Sequence, residues 1–165
     1  MIGWFRNKEA TDVQNREFIA LGARFGSDLV SSFEKFIESR FGRVHGNYLN
    51  VLRGNFQSDI QRTDVPPLES ARANYQCFLE QVAALPPQMN AEISLYMDRW
   101  LQSADKIGIR SKTEQFFQQQ VLEFCSNLSI DGLKLFTDYA IPLKDANDAW
   151  RKAYPELAEK WPSET

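Results

Sequence analysis

One histidine and two cysteines in 165 residues leave little with which to build a metal centre or a thiol-based active site. A zinc site takes three or four Cys, His or carboxylate ligands, and His45 has no Cys or second His near it in sequence. The residue three before it is Gly42, so the Glu-x-x-His pair of helical di-iron sites is missing as well. Phosphate-binding glycine loops, dinucleotide fingerprints, calcium loops and nucleophile elbows are also absent. A dyad of His45 with Cys77 or Cys125 would rest on residue types alone. The sequence therefore assigns no catalytic residue, no metal and no cofactor, and it leans away from an enzyme. Most carboxylates fall on polar helix faces or in caps, which leaves a buried acid–base pair as the open catalytic alternative.

Long apolar runs are lacking too. A membrane span needs roughly 18 consecutive apolar residues, and no stretch approaches that. A secretory signal would place about 7–15 apolar residues after a basic start. Here Met1 to Phe5 give way at once to Arg6, Asn7, Lys8 and Glu9. The expectation is a cytoplasmic protein whose Cys77 and Cys125 are free, buried thiols among apolar helical neighbours. In that setting the Asn127-Leu128-Ser129 sequon occurs by chance. Net charge is −3, with 22 acidic against 19 basic side chains spread along the chain. Nucleic acid is bound chiefly through clustered cations, so it is a poor partner for this composition. Residues 1–62 carry 9 basic and 7 acidic groups, and the acidic excess lies beyond them.

What the chain does have is apolar packing material, with 43% hydrophobic residues and 12 phenylalanines. A chain of this length buries roughly 70% of its unfolded surface without needing disulfides or metal. Thr11-Asp12-Val13-Gln14 reads as a capping box, and Phe18, Leu21, Phe25, Leu29, Phe33, Phe36, Ile37 and Phe41 then recur at steps of three and four. This first helix should stop near Gly42. A second stripe runs through Val44, Tyr48, Val51, Leu52, Phe56 and Ile60 to the break at Pro66-Pro67. Pro67 suits a first helical position, and Leu68, Ala71, Tyr75, Phe78, Leu79 and Val82 form the third stripe. Pro86-Pro87 opens a fourth helix with Met89, Ile93, Tyr96, Met97, Trp100, Leu101 and Ala104 inward, ending at Gly108. Ser111-Lys112-Thr113-Glu114 caps a fifth, with Phe117, Val121, Phe124 and Leu128 inward. A short separate segment around Leu133, Leu135 and Phe136 should follow. The last helix presents Ala146, Ala149, Trp150, Ala153 and Tyr154, and Pro155 kinks it toward Leu157 and Trp161. No alternation of period two competes. The expected fold is all-α: a single-domain bundle or orthogonal array of six to seven amphipathic helices over residues 11–161, between an N-terminal segment 1–10 and a short tail 162–165.

Three features stand out as candidate sites. Ile2, Trp4 and Phe5, followed by Arg6 and Lys8, lie ahead of the first capped helix. They suit a partner pocket, a membrane interface, or a staple folded back on the first helix. Gly22 and Gly26, one turn apart in a helix, each cost about 0.5–1 kcal/mol against Ala and so ask for a close neighbour in return. Arg40, Arg43 and His45 crowd a predicted turn, with Arg53 two helical turns further on. Such a group can hold a phosphate or carboxylate, or simply be a solvated turn. The reading that follows is a non-enzymatic cytosolic helical module acting through protein contacts, of the adaptor, regulator, chaperone or immunity-type kind. A second copy of the chain is one form the partner takes. The first alternative is a helical sensor or carrier of a small hydrophobic or anionic ligand, its cavity drawn from Phe33, Tyr48, Phe78, Trp100 and Phe124. The second is peripheral membrane association through the N-terminal aromatic and basic residues.

Overall fold

The computed structural model describes residues 13, 15, 16, 20, 35, 36, 38–100 and 110–161. The N-terminal residues Ile2, Trp4, Phe5, Arg6 and Lys8, most of the predicted first helix with Gly22 and Gly26, and the predicted stop at Gly108 lie outside the described residues. Among those described the protein is all-α. Five helices of 14 to 29 residues follow one another: α1 (Arg43–Ile60), α2 (Pro67–Ala83), α3 (Leu85–Trp100), α4 (Arg110–Asp138) and α5 (Ala140–Ala153). A short α6 (Pro155–Ala158) closes the series. By their contacts the residues divide into two compact units, Met1–Arg43 with Pro86–Glu123 and Val44–Leu85 with Phe124–Thr165.

In the first unit, Phe41, Met89, Ile93, Phe117 and Val121 are buried, each at a position where the apolar period predicted an inward side chain. Arg40 pairs with Glu92 of α3, its Nε donating to Oε2 at 2.8 Å. One expectation is corrected here. Gly42 does not end a helix, and the chain does not turn between Arg40 and His45. A π-helical turn, Glu38–Gly42, leads straight into α1 at Arg43. Gly42 lacks the left-handed φ that a glycine stop requires, so the wider π turn carries the helical chain past it.

The second unit shows how its helices are placed. Pro67 starts α2 because its missing N–H would have no intrahelical partner there, and Pro66 before it is extended, at φ −58° and ψ 128°. α2 packs against α5, the most regularly amphipathic of the helices. Leu143, Asn147 and Trp150 recur at four and three residues on its buried face. The Trp150 indole N–H donates to the Thr63 carbonyl at 3.0 Å, tying α5 to the α1–α2 loop and satisfying a buried donor. Leu52, Phe56, Ala71, Phe78, Val82, Leu128 and Leu135 complete the apolar core. Each large side chain buried in this way is worth roughly 1.5–3 kcal/mol. Phe136 joins the core from α4, stacked on Tyr75 at 4.9 Å and tilted against Phe56.

Two further expectations give way. α4 runs unbroken from Arg110 to Asp138, so the predicted separate segment at Leu133–Phe136 is its last two turns. The single Gly132 there is no stop; its bare Cα admits the Phe78 ring, whose Cζ would lie only 2.6 Å from an added Cβ. Cys77, expected inside, is exposed, because α2 buries Ser70, Ala71, Phe78 and Val82 and leaves Cys77 beside that face. Cys125 is buried as expected.

Candidate binding surfaces

Of the predicted cationic group, Arg40 is engaged with Glu92 in the first unit, and Arg43 is exposed at the first position of α1. His45 and Arg53 belong to the second unit. His45 is half-buried, its Nε2 3.2 Å from Asp131 Oδ2 and its ring edge-on to Phe124 at 5.9 Å. Asp131 also accepts from Lys134 at 3.0 Å. Its carboxyl lies below the ordinary range, first because of that bond and in smaller part because of His45. The Arg53 guanidinium donates to Asn50 Oδ1 at 3.2 Å.

The helix periodicity did not single out Asp59, yet it is 1% exposed. Its Oδ1 accepts from the Ser70 hydroxyl at 2.6 Å and its Oδ2 from the Asn74 amide at 2.8 Å. Arg62 stands 3.8 Å from the same carboxylate, donates to Ser70 at 2.8 Å and pairs with Asp64 at 3.1 Å. The carboxylate is thus surrounded by donors. This network holds the end of α1 to the start of α2 and is structural. The spacing Asp59, Arg62, Ser70, Asn74 around a Pro-Pro break was the available signal.

Between α1 and α2 lies an open cleft of about 230 Å³. Leu52, Tyr48 and Phe78 line it, the last two rings meeting edge to face at 6.4 Å. Asn47, Val51 and Asn55 line it from α1, and Asn74, Cys77 and Gln81 from α2. None of these side chains carries a formal charge. Gln81 donates its amide to the Cys77 sulfur at 3.2 Å. Two of the expected cavity aromatics, Tyr48 and Phe78, therefore meet here; Phe124 sits on His45 instead, and the Phe33 and Trp100 side chains lie outside the described residues. A wider depression of about 660 Å³ is lined by Arg62, Glu69, Arg72, Gln76 and Trp161 among others, where Arg62 is paired with Asp64 and Arg72 with Glu69.

Large apolar side chains also face outward. On the second unit, Ile130 and Leu133 of α4 are 48% and 54% exposed, and Ile141 at the start of α5 is 73% exposed. Among the described residues no group of three or more His, Cys, Asp or Glu is placed to hold a metal ion, and no helix is long and apolar enough to cross a membrane. The chain matches no protein-family model, no curated protein and no solved structure.

Proposed function

We propose that this chain is a non-enzymatic, cytosolic helical module that works by binding another protein. The observation that carries the reading is the outward apolar set Ile130, Leu133 and Ile141. Single exposed leucines are ordinary, but Ile130 and Leu133 stand one turn apart on α4 and Ile141 follows eight residues after Leu133. Ile130 and Leu133, one turn apart and outward on α4, are what a partner helix or groove covers, and Ile141 is exposed at the start of the next helix. Carboxylate–cation pairs at Arg62 and Lys134, together with the contact of His45 with Asp131, support a structural role for these groups, and this weighs against a catalytic use of them.

A photo-crosslinking residue at Thr137, which falls between Leu133 and Ile141 in the sequence, tests the proposal in cells. The expected result is one discrete adduct, lost when Leu133→Lys and Ile141→Lys are introduced together in a chain with unchanged helical content. Adducts no different from those of the same crosslinker at the exposed Gln119 on α4 would overturn it.

A further inference from the structure

We infer that the α1–α2 cleft is a recognition groove for the main chain of a neutral, extended peptide segment. The two helices run antiparallel, since Asp59 near the end of α1 meets Ser70 and Asn74, whereas Tyr48 near its start meets Phe78. That order sets Asn55 with Asn74 at one end of the cleft, Asn47 with Gln81 at the other, and Val51 with Cys77 in between. Each end therefore carries two carboxamides and the middle carries small apolar groups, above a floor of Leu52 and the Tyr48 and Phe78 rings.

A carboxamide both donates and accepts, which is the bonding pattern of a peptide group. Asn74 has one N–H committed to Asp59, so its carbonyl oxygen is the group best placed to accept from a ligand N–H. Asn47 and Asn55 stand eight residues apart on α1, about 12 Å at the helical rise. An extended chain covers that in about four residues. The fit is thus to two peptide groups three or four residues apart in an extended chain, with a small apolar side chain between them that would lie over Val51 and Cys77. No lining side chain neutralises a phosphate or carboxylate, so the occupant is uncharged where it touches the cleft. The site is distinct from the exposed Ile130, Leu133 and Ile141, and either reading can fail without the other.

Cys77 supplies the readout. Alkylation of the full-length chain by N-ethylmaleimide, followed by mass spectrometry of the Cys77 and Cys125 fragments, is measured with and without acetyl-alanyl-valyl-alanine methylamide. A short peptide of this kind binds in the millimolar range, so about 10 mM should slow Cys77 alkylation about fivefold. It should also move the side-chain amide NMR signals of Asn47, Asn55 and Gln81. The double variant Asn47→Ala, Asn55→Ala should lose the protection while keeping the helical spectrum. Equal protection by acetamide at matched amide concentration, equal protection by the peptide with aspartyl in both alanyl positions, or no movement of the wild-type amide signals would each overturn the inference.

Discussion

Asp59 shows what a single residue can fix. A carboxylate taken out of water is tolerated only when its oxygens are bonded, and here Ser70 and Asn74 each give it a hydrogen bond while Arg62 supplies the nearby positive charge. Replacement by alanine removes the acceptor from both donors and leaves them buried or half-buried without it. Asp59→Ala should therefore cost about 2–4 kcal/mol in urea unfolding. Asp59→Asn keeps the shape and one acceptor oxygen, but it brings an amide N–H₂ against a donor. It should fall between the two, and an alanine variant within about 0.5 kcal/mol of the parent would remove the network from the account of stability. Helix periodicity did not pick out Asp59, because that reading scores an acid as outward facing, and its burial depends on partners 11 and 15 residues away.

At the scale of elements, one close approach is that of Gly132 on α4 to Phe78 on α2. The Phe78 ring is held in place by Tyr48 and by Tyr75, which stacks on it at 6.1 Å, so it has little room to retreat from an added methyl. Gly132→Ala should lower stability by about 1–3 kcal/mol despite the better helix propensity of alanine. Trimming the ring with Phe78→Leu should make the pair less destabilising than the sum of the two changes, which a thermal double-mutant cycle reads directly. Simple additivity would show that the ring moves aside at no cost. The inward stripe on α2 was legible in the sequence, and so were the helix starts at Pro67 and Pro155, because period and proline are local signals; the stripe read for α5 shares only Trp150 with the buried face, which Leu143 and Asn147 complete. The continuity of α4 and of the chain past Gly42 was not legible. A lone glycine reads as a stop unless the ring or wider turn that accommodates it is known. The cleft was half legible: Tyr48 and Phe78 were named as cavity residues, but the amides beside them were not. Asn and Gln look like ordinary solvated positions until two helices set them on facing walls.

For the whole molecule, the titrating groups bound the pH range in which the fold is most stable. Asp64 is held below the ordinary carboxylate range, first by its bond from Arg62 and then by its own backbone N–H, and Asp131 is held there first by Lys134. Between the folded and unfolded values the unfolded chain binds the extra protons, so stability present at neutral pH is lost as pH falls through that range. Both groups are exposed, and the acid limb should be shallow. On the alkaline side the sign is reversed in origin but not in effect. Burial raises the Cys125 thiol and the Tyr75 phenol, so the unfolded chain ionises first and stability falls as pH rises past their ordinary values. Urea midpoints measured from pH 3 to 10 should give a plateau between about pH 5 and 8.5 with a decline on each side. Cys125→Ala removes the earlier of the two alkaline groups, and the alkaline decline should then begin only near pH 10, where tyrosine titrates. An onset that stays at pH 8.5 in that variant would show that the decline does not come from the buried thiol.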